Sequence, residues 1–234
     1  MRRYLLVDDN AAFAENLAEI VRDAGDEAVV APGGRAALLL AQETRFDALL
    51  TDMRMPVMSG AQLVHEMRRL DPGLPAIVIT AYTGEVDLQA AREEGLLAVL
   101  PKPAPIVRLL ELLALARRDG LVALVGDDVG LADNLTEALR DRGFSVVTVA
   151  SVTETARLGQ VKLFAALVDL RVPGGPDGEA MRGLSRSFPG LPIHVITARP
   201  QATGLAPHAG VFNKPFETAA LLAALERTWV QSCR

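Results

Sequence analysis

Leu49-Leu50-Thr51-Asp52-Met53-Arg54-Met55-Pro56-Val57-Met58-Ser59-Gly60 is the stretch on which the fold turns. An apolar run ends in one carboxylate, Asp52, and Arg54, Pro56 and Gly60 punctuate the loop behind it. Residues 47–50 predict a short buried strand, because Ala48, Leu49 and Leu50 are consecutive apolar residues bounded by polar ones. A carboxylate at the C-terminal end of such a strand lies where open α/β sheets place their ligands. The pattern recurs in Ala165-Ala166-Leu167-Val168-Asp169-Leu170-Arg171-Val172-Pro173, with the same order of apolar run, Asp, apolar, Arg, apolar, Pro. Asp52 and Asp169 are therefore the two candidate chemical centres.

Outward from Asp52, strands are predicted over residues 4–7, 27–31, 76–80 and 97–100. The first helix has Asn10 as its N-cap, Phe13, Leu17, Ile20 and Val21 along one face, and Gly25 at its end. Further helices are expected over residues 36–42, 60–70, 84–94 and 106–117. The order then restarts, with strands over 121–125, 145–149, 191–197 and 211–214 around the Asp169 strand. Asn134, Leu135, Ala138 and Leu139 lie on a helix closed by Gly143. Asp8 with Asp127, Asp52 with Asp169, Thr80 with Thr197 and Lys102 with Lys214 are offset by 112 to 119 positions. The chain thus reads as α/β, a tandem duplication of one (βα)5 unit with domains at residues 1–118 and 119–234. Right-handed crossovers make each a parallel five-stranded sheet with helices on both faces.

Composition agrees with two ordinary domains. Of 234 residues 50% are hydrophobic and 23% charged, enough for a normal core in each half. A net charge of −5 offers no basic field for nucleic acid. Cys233 is the single cysteine, which excludes an internal disulfide framework and points to a cytoplasmic protein. The apolar run after Met1-Arg2-Arg3 stops at Asp8-Asp9, as a strand does and a secretory signal does not. No run approaches the length of a membrane span, so no membrane partner is expected.

The polar residues at the strand ends of the first copy are Asp8, Asp9, Asp52, Thr80 and Lys102. In a parallel sheet these ends share one edge. Three carboxylates gathered there repel one another, and a divalent cation with an ammonium resolves the conflict. Oxygen-only ligands favour Mg2+. Such a site can hold a phosphoryl group on an aspartate, a form of carboxylate nucleophilic catalysis.

Acid pair, Asp, Thr and Lys-Pro, in that order and in both copies, resemble the receiver domain of two-component response regulators, the CheY-like family. The resemblance implies a flavodoxin-like sheet order of 2-1-3-4-5. It implies that Asp52 accepts the phosphoryl group and that Asp8, Asp9, Asp52 and the backbone carbonyl of Arg54 hold Mg2+. Thr80 and Lys102 then contact phosphoryl oxygens. By the same carry-over the second copy uses Asp169 as acceptor, Asp127, Asp128, Asp169 and Arg171 for the metal, and Thr197 and Lys214 for the phosphoryl oxygens. Single strand-end aspartates are usually plain loop caps, but five positions in two copies argue against that. A phosphatase would carry a general acid two residues after its Asp; Arg54 and Arg171 occupy those places and cannot donate a proton near neutral pH.

Departures from the family pattern concern its switch and its second copy. Val99 and Val211 stand where the family often has Tyr or Phe, and Phe212 is one residue off, which reverses its face. Residues 199–207 contain two prolines and a glycine, so the second domain is expected to be a degenerate receiver with a shortened or missing fourth helix. His65-Glu66 superficially resembles a kinase phosphohistidine box but reads as a surface histidine on the third helix. Trp229 shares a face with Leu221, Leu222 and Leu225 and reads as core packing. Residues 106–115 are apolar over more than one face, which suggests a covered second side and admits a homodimer.

The function expected is that of a response regulator without an output domain. It would be phosphorylated by a histidine kinase or His phosphotransfer protein and signal to a downstream protein partner, and it would not be a turnover enzyme. The alternatives are a phosphorelay intermediate or phosphate sink, or a receiver fragment of a hybrid histidine kinase. The resemblance also implies that bulky side chains at Arg54 and Tyr82, and at Arg171 and Arg199, slow self-dephosphorylation, so a comparatively long-lived phosphoryl state is expected in the first copy.

Overall fold

The computed structural model describes residues 1–81, 92–198 and 209–232. The chain divides into two compact units, Met1–Asp119 with Arg142–Ser145, and Gly120–Asp141 with Val146–Arg234. The segment expected as the fourth helix of the first copy lies largely outside the described residues. So do the segment after Thr197 with its expected helix loss, Tyr82, Arg199 and Cys233.

The first unit runs β1 (Arg3–Val7), α1 (Ala11–Asp23), β2 (Glu27–Ala31), α2 (Gly34–Glu43), β3 (Ala48–Thr51), α3 (Gly60–Leu70), β4 (Ala76–Thr80), β5 (Ala98–Pro101) and α4 (Ile106–Leu115). Its sheet has the order β2-β1-β3-β4-β5, and every neighbouring pair is parallel. Side chains alternate across a strand, so β1 feeds two cores. Tyr4 and Leu6 join Leu17, Val21, Leu109 and Leu112 on one face. Leu5 and Val7 join Leu63, Val64 and Met67 on the other. Each fully buried leucine contributes about 2 kcal/mol, which fixes the strand register and with it the strand ends.

Helix starts are set by local chemistry. The Asn10 side chain accepts the Phe13 N–H at the start of α1. Ser59 and Gln62 form a reciprocal capping box at the start of α3. Helix α4 buries Leu109, Leu112 and Leu113, but Val107 is 73% and Leu115 44% exposed. The apolar surplus of α4 thus includes exposed Val107 and Leu115.

The second unit runs β6 (Leu121–Val125), α5 (Val129–Arg140), β7 (Ser145–Val149), a 3-10 helix (Thr153–Gln160), β8 (Ala165–Asp169), α6 (Glu179–Ser187), β9 (Ile193–Thr197), β10 (Gly210–Asn213) and α7 (Thr218–Ser232). Its sheet order, β7-β6-β8-β9-β10, is the same topology. A 3-10 helix stands where the first unit has α2. Trp229 is half-buried and meets the Phe164 ring edge-on at 5.0 Å, on the helix that buries Leu221, Leu222 and Leu225. Among the described residues, no helix is long and apolar enough to cross a membrane.

Candidate functional site

Parallel pairing brings the ends of β1, β3, β4 and β5 to one edge of the first sheet. Val7 is opposite Thr51, and Thr80 opposite Pro101. The residues that follow are Asp8, Asp52 and Lys102. Asp8 is buried, Asp52 partly buried and Asp9 exposed. One ligand atom from each of the three acids lies within 4.8 Å of the others. Lys102 Nζ reaches between two of them, 2.7 Å from Asp8 Oδ2 and 2.8 Å from Asp52 Oδ2. The Lys102 ammonium also lies over the Phe13 ring, with Nζ 4.6 Å from the centroid.

The backbone completes the hold on both acids. Asp8 Oδ1 accepts the Asn10 N–H at 2.9 Å, and Asp52 Oδ1 accepts the Met53 N–H at 2.7 Å. Burial pulls the Lys102 ammonium down, but its hydrogen bonds to Asp52 and Asp8 and their charges raise it on balance above its ordinary value. Lys102 is therefore a fixed positive charge at neutral pH. Thr80 is fully buried at the end of β4. Arg54 is exposed on the loop beyond Asp52. Gly60 lets α3 begin against that loop: a Cβ there would lie 2.2 Å from the Asp52 carbonyl oxygen, so a side chain would push the loop off the strand end.

Three carboxylates against one ammonium leave two negative charges on a solvent-facing edge. That donor set, all oxygen and open on the Asp9 side, fits a divalent cation of the Mg2+ kind, which keeps several waters and needs only one or two carboxylates.

The second unit assembles a smaller group. Lys214 Nζ bonds Asp169 Oδ2 at 2.7 Å, and Asp169 Oδ1 accepts the Arg171 N–H at 3.0 Å. Thr197 is buried at the end of β9. Asp127, Asp128 and Asp169 do not form a three-acid cluster of the kind found in the first unit, among the described residues. The carry-over that paired Asp127 with Asp8 and Asp128 with Asp9 is corrected by the backbone. β1 ends at Val7 and β6 at Val125. The next N–H, of Asp8 or of Gly126, bonds the last residue of the neighbouring strand, Ala31 or Val149. Asp8 is therefore matched by Gly126, Asp9 by Asp127, and Asn10 by Asp128. Asp128 caps α5, its Oδ1 accepting the Leu131 N–H at 3.0 Å, as Asn10 caps α1.

Two further expectations receive detail. His65, on α3, is partly exposed, and its Nδ1 lies 2.8 Å from Glu94 Oε1. Val99 packs against the core beside α3, whereas Val211 is 40% exposed and Phe212 turns the opposite way, toward His194 and Phe216. Phe13 under Lys102 was not read from the sequence, where it served only as one residue of an apolar helix face.

A parallel 2-1-3-4-5 sheet carrying an acid triad bridged by lysine at its C-terminal edge defines a receiver-type domain. Residues 4–114 match the response regulator receiver domain family. A response regulator receiver protein of Anaeromyxobacter sp. (strain Fw109-5) is 65% identical over 227 residues, covering 97% of this chain and 95% of that protein. The transcriptional regulatory protein GlrR of Escherichia coli (strain K12) is 33% identical over 99 residues; that match takes 42% of this chain and 22% of GlrR. Among solved structures, the receiver domain of the sensor histidine kinase PA1611 from Pseudomonas aeruginosa PAO1, described with a magnesium ion coordinated in its active-site cleft, is 28% identical. It covers 48% of this chain and 93% of that chain, with a TM-score of 0.45. The chain belongs to the response regulator receiver family.

Proposed function

We propose that the chain is a phosphorylation-controlled interaction protein whose first unit accepts a phosphoryl group on Asp52 from a phosphohistidine of a kinase or phosphotransfer protein. The observation that carries this reading is Lys102 set between Asp8 and Asp52, with Asp9 in the same cluster. An Asp52 oxygen attacks phosphorus, the donor P–N bond breaks, and its electron pair leaves with the imidazole nitrogen, which takes a proton. Both Asp52 oxygens are engaged, by the Met53 N–H and by Lys102, so the incoming group displaces one of these bonds. Lys102 and the Thr80 hydroxyl are then available to the phosphoryl oxygens, which turns an Asp52–Lys102 pair into a phosphoryl–Lys102 pair. Asp8, Asp9, Asp52 and the Arg54 carbonyl would hold Mg2+. When bound, that ion supplies positive charge to the transferred group.

The protein changes its contacts with partners and does not turn over a substrate. The signal is the rearranged Asp52 loop, whose backbone Gly60 ties to α3. Intact-mass spectrometry after incubation with a small-molecule acyl phosphate tests the reading. One phosphoryl group should be gained with Mg2+ present and none after chelation. Equal uptake in both conditions contradicts the metal assignment; no uptake in either contradicts the reading.

A further inference from the structure

The acid triad of the first unit depends on Asp8, the first residue after β1. In the second unit the first residue after β6 is Gly126. The two sites are otherwise closely parallel. Leu6, Val7, Leu17, Leu50, Asp52 and Ile79 line the cavity beside the first. Leu124, Val125, Leu135, Leu167, Asp169 and Ile196 line the cavity beside the second. The differences are concentrated where the chemistry is. Gly126 removes one carboxylate, and Leu131 replaces the Phe13 ring that lies under Lys102. Asp128, the neighbouring acid that could compensate, is held by the α5 N-terminus.

The convergence of acids changes accordingly. In the first unit three carboxylates face one lysine. In the second, Lys214 bonds Asp169 at 2.7 Å, Asp127 is exposed and Asp128 is turned to the α5 N-terminus, so among the described residues three acids do not converge there as they do in the first unit. A divalent cation therefore finds fewer converging carboxylates there than in the first unit. From this we infer that the second unit is metal-independent: it keeps the Asp169–Lys214 pair closed, binds no divalent cation in the range that fills the first site, and takes up no phosphoryl group. This rests on the first unit being a metal-assisted phosphoryl acceptor, and divides the chain into one responsive unit and one constitutive unit. The Asp8 carboxylate is what the second site lacks, and Gly126 stands in its place. Its φ is not in the left-handed region, and a Cβ there would lie 3.3 Å from Asp169 Cβ, close enough to require a small shift but not to forbid a side chain.

The test counts ions on the full chain with Mn2+ as the probe, using the electron paramagnetic resonance signal of free Mn2+. Wild type should bind one ion per chain, and Asp9→Asn with Asp52→Asn should bind none over the same range. Gly126→Asp, checked for folding by circular dichroism, should gain a second ion. The second site in wild type should be weaker by at least ~100-fold, beyond the usual effect of losing an outer-shell partner. Two ions of comparable affinity in wild type overturn the inference and leave the first-unit reading standing, whereas a single ion that survives Asp9→Asn with Asp52→Asn lies outside the first site and defeats both. No ion on wild type defeats the metal-assisted reading and this contrast together. A folded Gly126→Asp chain that still binds one ion shows that this carboxylate is not the missing element, and overturns the assignment.

Discussion

Lys102 Nζ lies 2.8 Å from Asp52 Oδ2 and is shared with Asp8. The lysine therefore neutralises the acceptor before any phosphoryl group arrives, and it balances a buried acid at the same time. Removing the cation should expose the conflict it resolves. Lys102→Met leaves two poorly solvated carboxylates together and should destabilise the first unit by about 3 kcal/mol. Saturating Mg2+ should recover part of the loss, because it binds the folded site alone. Urea unfolding of wild type and variant, with and without Mg2+, measures both effects. The raised Lys102 pKa means that its contribution is fully present below its unfolded pKa of about 10.5 and is lost only as pH rises through the higher folded value.

Arg68 is a buried charge on α3 that serves structure. Its guanidinium donates to the carbonyls of Pro72 and Leu74, at 2.9 and 2.6 Å, and to those of Glu94 and Gly95. Burial lowers its pKa to about 10, which still leaves it charged at neutral pH. Arg68→Met should strand several of these carbonyls and cost about 3 kcal/mol. Denaturant titration followed by a first-unit probe would show it, and an unchanged midpoint would contradict this role.

His194 in β9 is 2% exposed, and neither ring nitrogen has a hydrogen-bonding partner among the described residues. Burial, and then the charge of Arg227, holds its pKa below the ordinary value. The unfolded chain therefore binds a proton that the folded one refuses, and second-unit stability should fall as pH drops below about 6.5. His194→Leu should remove that acid-side loss and add about 1 kcal/mol near neutral pH. Thermal unfolding across pH 5 to 8, about the range in which histidine titrates, checks both.

Arg54 is exposed two residues beyond Asp52, and on the proposed reading its side chain would screen the line along which water attacks a phosphoryl group there. If it shields that line, Arg54→Ala should shorten the phosphoryl lifetime several-fold. A lifetime that is unchanged or longer would mean that the guanidinium instead stabilises the charge developed during hydrolysis.

Much of the scaffold was legible because strand ends and breakers coincide in the sequence. Residues 27–31, 76–80, 121–125 and 145–149 are strands as expected, and α3 spans Gly60–Leu70 up to the break at Asp71-Pro72-Gly73. The grouping of Asp8, Asp9, Asp52 and Lys102 follows from parallel strands sharing an edge. The second site was misread for a local reason. An acid pair looks the same one residue along, and only the backbone bond from Gly126 to Val149 fixes which acid follows the strand. The outward face of α4 was legible only as an apolar surplus, because composition says how much apolar surface a helix offers, not what covers it.

The central claim is that Asp52 alone carries the phosphoryl group. Its most direct test is site mapping of the acyl phosphate, by borohydride reduction and peptide mass spectrometry, on wild type, Asp52→Asn and Asp169→Asn chains treated with the same phosphodonor and Mg2+. Modification at residue 52 in wild type and Asp169→Asn, and at neither position in Asp52→Asn, is the predicted result. Stoichiometric modification of Asp169 in the Asp52→Asn chain would contradict it.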